Sequence, residues 1–427
     1  MPVRCRAPTS KNTEIEPMFF ARLLDRLLVS GSLTYIDPKG RTYQFGGPPI
    51  PGLKPVTVRL TDVQLDLRLC LQPLLTVGEA YMDGKLLIEE GTLYDFLALA
   101  CSNLQRGHHA AWVTWMQGLS HLWRRVQQYN PLGQARRNAA HHYDISLALY
   151  ELFLDPDKQY SCAYFEHPGA SLEEAQIAKK RHIMAKLLLK PGQKVLDIGC
   201  GWGGLSLTLG REAGVDVTGI TLSEQQLAEA QRRAALAQRA DQVRFQLADY
   251  REITGTYDRV VSVGMFEHVG VNHYDEFFRA VHDRLAEDGV ALIHFIARSD
   301  GPGTTNAWIR KYIFPGGYSP ALSEVLPAIE RSGLFITDIE ILRLHYAETL
   351  RQWRERFRAN WDRAAQLYDE RFCRMWEFYL TGSEIAFRFE GHAVAQIQLA
   401  RRQDTVPMTR RYIESAEDPR RWLKAGE

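Results

Sequence analysis

The sequence predicts an α/β fold, a parallel sheet with helices on both faces, with a smaller mixed α+β domain ahead of it. Three observations lead there. From residue 194 onward, short β-type runs alternate with helically patterned stretches, as βαβ units require. The first run, Val195 to Ile198, empties into the glycines of Lys194-Val-Leu-Asp-Ile-Gly-Cys-Gly-Trp-Gly-Gly-Leu205 before a helix begins. A strand, tight turn and helix start of this kind lets backbone amides meet a ligand's polar groups. Ahead of residue 130, by contrast, β-type runs and helices follow one another without regular alternation.

Size and composition allow this division. The chain has 427 residues, long for one domain and comfortable for two, with 45% hydrophobic and 24% charged residues. A formal charge of +1 gives no argument for nucleic acid as a partner. Residues 1 to 140 nonetheless hold 16 Lys and Arg against 11 Asp and Glu, which leaves an anionic surface open for that section. Six cysteines without a C-x-x-C pair suit free thiols in a reducing compartment, and no metal site is expected. The N-terminus lacks the apolar core of a signal peptide and no run approaches 18 apolar residues, so the expected location is the cytoplasm, without a membrane span.

In chain order, Met18, Phe19, Leu23, Leu24, Leu27 and Leu28 predict an amphipathic helix within 17 to 29. Val56 to Leu60 and Val63 to Leu67 read as strands, and Gly91 to Cys101 as a helix. Between His108 and Asn130, Trp112, Trp115 and Trp123 share a helical face with Arg124 and Arg125 close by, which is what an interfacial helix needs. An aromatic stripe is more often core or a domain contact, so both readings stand. Residues 130 to 141 read as a linker, dividing an N-terminal domain, 1 to 129, from a C-terminal one, 142 to 427.

In the second domain Ser171 and Glu174 form a capping box opening a helix that stops at Pro191-Gly192. Beyond the glycine loop, Asp216 to Ile220, Val243 to Leu247, Tyr257 to Gly264 and Val290 to Ile296 read as further strands, with Ser223 and Gln226 marking a helix start and 273 to 286 another helix. Residues 298 to 332 read as irregular, Phe335 to Leu342 and Ala393 to Ala400 as the last strands, and Ala347 to Phe372 as one long polar helix between them. In such a sheet the ligand lies beyond the carboxyl ends of the strands, near Asp197, Thr221, Asp249, Glu267 and His294.

The glycine loop alone leaves the cofactor open. Gly199, Gly201 and Gly204 satisfy the dinucleotide fingerprint, while Asp197, Gly199, Gly201 and Gly203 satisfy the acidic-x-G-x-G-x-G loop of S-adenosylmethionine enzymes. A nicotinamide enzyme places Asp or Glu about 20 residues past the glycines. Thr221 stands there instead, and Asp216 precedes its strand. Asp197 can orient the loop and face a cationic cofactor, and Asp249 can reach an adenine amino group, so S-adenosylmethionine is favoured.

At this point the sequence resembles the cyclopropane fatty acid phospholipid synthases and mycolic acid cyclopropane synthases. The matching pieces are His142-Tyr143-Asp144, Tyr160-Ser-Cys-Ala-Tyr164, the loop Leu196 to Gly204, Gly219-Ile-Thr-Leu-Ser223 with Gln226, Asp249-Tyr-Arg251, Met265-Phe-Glu-His-Val-Gly270, Phe314-Pro-Gly-Gly317 and His345-Tyr346. The resemblance implies a Rossmann-like class I methyltransferase sheet. It implies S-adenosylmethionine contacts at Tyr160, Ser161, Asp197, Gly199, Gly201, Thr221, Leu222, Gln226, Asp249 and Tyr250. It also implies a bicarbonate site at Cys162, Glu267, His294, the backbone amide of Ile296, and Tyr346. The implied reaction adds a methylene across the cis double bond of phospholipid acyl chains through a carbocation that bicarbonate deprotonates. Such a lipid substrate implies peripheral association with the inner membrane, the N-terminal domain docking; whether two subunits pair as a homodimer the sequence leaves open.

The chemistry makes sense of these residue types. The sulfonium methyl is a strong electrophile and an alkene a weak nucleophile, so alignment matters more than an activated side chain. Ring closure then needs a base and a pocket that excludes water. Bicarbonate can donate its hydroxyl to Glu267 and accept from His294 and Tyr346. Tyr164, Phe165, Phe266, Phe295 and Tyr318 are candidates for an apolar tunnel. No base adjoins Cys162 in sequence, so no thiolate mechanism is expected, and Cys200 and His268 read as structural. Leu147-Ala148 replaces an Asn-Asp common in relatives, which argues against a polar contact there, and Phe295 departs from their usual strand, which points to a differently shaped acyl pocket. The alternative reading is a non-cyclising methyltransferase of the same superfamily acting on a lipid or small molecule.

Overall fold

The computed structural model describes residues 19–105 and 145–417. The tryptophan helix, the linker and His142-Tyr143-Asp144 lie outside them. Backbone contacts divide the chain into two compact units. The first combines residues 1–122 with 306–313 and 353–391, and the second combines 123–305, 314–352 and 392–427. Two segments that the sequence reading keeps with the C-terminal domain therefore pack in the first unit.

In the first unit, strands β1 (Ser32–Ile36), β2 (Thr42–Gly46), β3 (Val56–Leu60) and β4 (Leu86–Glu90) form a mixed sheet in the order β2-β1-β3-β4, with β1 and β3 parallel. Alternate residues point inward, so Val56, Val58 and Leu60 of β3 are buried against Leu33, Tyr35 and helix residues Phe20, Leu24 and Leu69. The strand expected over Val63 to Leu67 is instead a turn leading into the helix Leu65–Leu71. In that turn Asp62 accepts from the Gln64 amide at 2.9 Å, and Leu65 and Leu69, four apart, face the core while Val63 and Leu67 stay exposed. Val-x-Leu-x-Leu fits a period of two as well as one side of a helix, and the chain takes the helical one. The segment 306–313 holds a short helix, Ala307–Tyr312, whose Trp308 lies against Gly78; a Cβ there would come within 2.5 Å of the indole. The one long helix expected over 347 to 372 is three, His345–Ala359, Trp361–Leu367 and Glu370–Phe389, the last starting at the Asp369 cap.

The second unit is built on a seven-stranded sheet of β5 (Lys194–Ile198), β6 (Asp216–Thr221), β7 (Val243–Leu247), β8 (Tyr257–Val263), β9 (Leu285–Arg298), β10 (Phe335–Leu342) and β11 (His392–Ala400). Its order is β10-β11-β9-β8-β5-β6-β7; β5 to β9 are parallel, and β11 runs antiparallel between β9 and β10. Successive residues feed opposite faces. Val195 packs with Ile183, Leu187, Leu205 and Ala230 on one side, and Leu196 with Phe277, Val281 and Val325 on the other. Helices thus cover both faces, as the sequence predicts. The capping box at Ser171 is formed, with the Ser171 amide donating to Glu174 Oε2 at 2.8 Å. The stretch 298–332 is less irregular than expected, since Leu322–Ser332 is a second helix there. Strand order reverses at β5, which has β8 on one side and β6 on the other, so the crevice above β5 is where a doubly wound sheet holds its ligand.

Candidate active site

The glycine loop occupies that crevice. The amides of Gly199 and Cys200 both donate to the Ile220 carbonyl at 2.9 Å, which pins the loop to the end of β6. Gly199 has φ of +85°, and a Cβ on it would lie 2.8 Å from Met265 Cβ. Gly203, φ +81°, caps the helix Gly204–Ala213, and a Cβ there would meet the Phe245 ring at 2.6 Å. Both positions require glycine, for backbone conformation and for room.

A pocket opens over this loop, and all ten residues expected to contact the cofactor line it. Asp197 is buried and accepts from Ser206 Oγ at 2.6 Å; burial outweighs that bond and holds its carboxyl up at about 6. Thr221 Oγ1 donates to Gln226 Oε1 at 2.8 Å and accepts from the Ser223 amide, while Leu222 lies on the wall between them. Asp249 is buried and held bidentately by Arg251, at 2.7 and 2.8 Å, and the same guanidinium lies 5.2 Å from the centre of the Tyr250 ring. Carboxylate oxygens keep lone pairs beyond those bonds, so Asp249 retains capacity for an adenine amino group. Tyr160 packs its ring on Tyr150, which also packs on Trp202. Ser161 accepts from Lys179 at 2.8 Å.

The pocket fits S-adenosylmethionine: glycines where a large adduct must approach backbone, an acid at each end, and apolar walls from Trp202, Met265 and Val269. His268, read from sequence as structural, also lines it, and burial holds its imidazole at about 4, hence neutral.

None of the five residues implied for bicarbonate is on the wall of this pocket. Glu267 Oε1 accepts from the Ile296 amide at 2.7 Å, and Glu267 Oε2 is enclosed without a hydrogen-bond partner. Burial raises this carboxyl from 4.5 to about 7, against the lowering effect of the Ile296 bond. The Ile296 amide is thus engaged by Glu267 itself. His294 lies two residues earlier on the same face of β9, fully buried, and burial together with the charges of Lys179 and Lys186 keeps it neutral. Cys162 is buried and donates to its neighbour's carbonyl, and burial pushes its thiol far up, which makes it no nucleophile. Tyr346, half-buried, opens the helix that begins at His345, where Thr349 one turn on accepts from the Ala163 amide at 3.0 Å. That helix start therefore runs beside the Cys162 segment.

Lys179 ties these parts together and went unnoticed in the sequence. Its ammonium, almost wholly buried, donates to Gln159 Oε1 at 2.7 Å and Ser161 Oγ, and its charge acts on Cys162, Asp197 and His294. Burial lowers it to about 8. The signal available was a lysine three after Gln176 and four before Ile183, on the face of the helix that meets the sheet. The aromatic tunnel needs correction. Phe266 and Phe295 are fully buried, ring centres 5.0 Å apart, in the core with Phe277 and Phe278; the alternation of β9 turns Phe295 away from His294. Tyr164 is stacked between His182 and His345.

Comparison with known proteins supplies the family. The family model described as mycolic acid cyclopropane synthetase matches residues 131–397. The chain belongs to that family. Among relatives, cyclopropane-fatty-acyl-phospholipid synthase of Escherichia coli K12 is 35% identical over 353 residues, covering 82% of this chain and 90% of the relative. A probable fatty acid methyltransferase of Pseudomonas putida is 41% identical over 255 residues, 58% of this chain and 65% of the relative. The solved mycolic acid cyclopropane synthase CmaA1, complexed with SAH and CTAB, superposes with a TM-score of 0.59 at 36% identity, covering 64% of this chain and 99% of that one. This member of the cyclopropane synthetase family is an S-adenosylmethionine-dependent transferase with the Rossmann-like fold that the sequence predicts.

Proposed function

We propose that the protein transfers a methylene from S-adenosylmethionine across the cis double bond of unsaturated phospholipid acyl chains to give cyclopropane fatty acids, with bound bicarbonate as the base. The observation that carries this reading is the Glu267 carboxylate, one oxygen fixed by the Ile296 amide and the other enclosed without a partner, beside the buried neutral His294. When bound, S-adenosylmethionine supplies an electrophilic methyl and bicarbonate a base of modest strength. An anion bearing one hydroxyl proton suits Glu267 Oε2 as acceptor, and its remaining oxygens suit donors on His294 and Tyr346. A plain methyl transfer has no use for a buried carboxyl oxygen left without a hydrogen-bond partner. The glycine loop, Asp197 and Thr221 hold and orient the donor, and burial of Cys162 and His294 excludes the water that would divert a cation to an alcohol.

Access to a phospholipid requires a peripheral position at a membrane surface. Among the described residues no helix is long and apolar enough to cross a membrane. In the first unit Val63, Leu67, Leu71 and Leu74 are each more than half exposed, which supports lipid contact there. The Pseudomonas putida relative favours a second reading, methyl transfer to a fatty acyl chain without ring closure. Mass spectrometry and proton NMR of lipids from cells expressing the protein separate the two: both products gain one carbon, but only one shows cyclopropane ring protons. Methyl-branched chains alone would select the second reading.

A further inference from the structure

His294 has two ring nitrogens, and only the tautomer protonated on the nitrogen facing the site can donate to an anion. The fold decides which one. Antiparallel pairing sets Gln396 of β11 directly opposite His294 of β9, so both side chains stand on the same face of the sheet. Gln396 Nε2 lies 3.1 Å from His294 Nδ1, and both side chains are buried. A side-chain amide could face either way, but Lys186 of the helix Leu172–Leu187 removes the ambiguity. Its ammonium, also wholly buried, reaches Gln396 Oε1 at 2.8 Å. An ammonium only donates, so the oxygen of Gln396 must face Lys186 and its NH2 must face His294. Lys186 is itself held by Glu340, and Asp338 lies 3.8 Å away. With Nδ1 accepting from Gln396, the imidazole proton resides on Nε2.

We propose that Gln396, oriented by Lys186, is a positioning residue that locks His294 as the Nε2-protonated tautomer, so that the site meets its anion with a donor. The proposal rests on the reading of His294 as part of a bicarbonate site, but the tautomer can be measured without any turnover. Two glutamines, Gln396 and Gln398, alternate on the strand segment Ala393 to Ala400, whose other residues are buried and apolar; a chain that needed only packing there would carry aliphatic residues.

The test is nitrogen NMR of the full-length protein labelled with 15N-histidine, the His294 signals identified by their loss in His294→Asn. The expected wild-type spectrum has a pyrrole-type Nε2 and a pyridine-type Nδ1; a pyrrole-type Nδ1 overturns the proposal. Gln396→Glu places an acceptor opposite Nδ1 and should move the proton there, while Gln396→Met should leave the proton shared and both shifts intermediate. In either variant the bicarbonate concentration for half-maximal cyclopropane formation should rise at least tenfold, with S-adenosylmethionine affinity within twofold of wild type. Unchanged nitrogen shifts, or a bicarbonate requirement within twofold of wild type, overturn the assignment. Absence of cyclopropane product from the wild-type protein would refute the proposed reaction and leave the tautomer measurement to decide the role of Gln396.

Discussion

Replacing Glu267 with Gln should separate stability from function in a way that depends on pH. The wild-type carboxyl titrates at about 7 in the folded protein and near 4.5 unfolded, because burial disfavours its charge. Between those values the folded state binds more protons than the unfolded state, so this group's stabilising contribution is complete below 4.5 and is lost as pH rises through 7. The interval corresponds to about 3 kcal/mol. Glutamine keeps the acceptor for the Ile296 amide but sets an NH2 where Oε2 is enclosed, at a cost of about 1–3 kcal/mol that does not vary with pH. The Glu267→Gln variant should therefore be the less stable at pH 4.5 and draw level with wild type, or pass it, above pH 7. Urea unfolding of both proteins across that range in carbonate-free buffer measures the difference. Its change with pH, about 3 kcal/mol, is independent of the constant penalty. Cyclopropane formation should fall at least tenfold, the loss of one hydrogen bond to a charged group, while cofactor affinity is retained because Glu267 does not line the loop pocket. Unfolding curves that differ by the same amount at every pH would refute the burial argument.

Gly199→Ala must push against Met265 Cβ and adopt a positive φ, so S-adenosylmethionine affinity by calorimetry should fall at least tenfold. Lys179 titrates at about 8 folded against 10.5 unfolded, so the unfolded state holds more protons between those values and stability gains from this group as pH rises from 8 to 10.5. Lys179→Met should flatten that rise in denaturation curves and weaken cofactor binding, since Gln159 and Ser161 lose their shared donor. Wild-type activity at saturating cofactor should climb with pH through about 7 as Glu267 ionises, and a profile flat from pH 6 to 8 would contradict its role as acceptor.

The parts of the fold that repeat a simple period were legible in the sequence. The capping box at Ser171, the strand that empties into the glycine loop and the five parallel strands stand where pattern and capping put them. Where two periods fit the same residues, as from Val63 to Leu71, the burial of Leu65 and Leu69, four apart, shows which one the chain adopts. The division into units was least legible, because 306–313 and 353–391 join the first unit by long-range packing such as Trp308 against Gly78. Asp197, Thr221 and Asp249 stood out in the sequence because each lies at or just past the end of a strand, and all three line the loop pocket. Lys179, Lys186 and Gln396 did not, since a polar side chain on a helix or strand shows in sequence as surface until the facing element is known. Phe295 shows the same limit from the apolar side: next to His294 on a strand, it points the other way.

The central claim is that this site closes a ring on a lipid chain. Purified protein incubated with S-adenosylmethionine labelled with 13C in the methyl group, bicarbonate, and vesicles of a cis-monounsaturated phospholipid tests it directly by carbon and proton NMR of the recovered acyl chains. The label is expected as the bridging carbon of a cis-cyclopropane, formed in a bicarbonate-dependent way. Label found only in a methyl branch, or no label in the lipid while the cofactor is consumed on another acceptor, would contradict it.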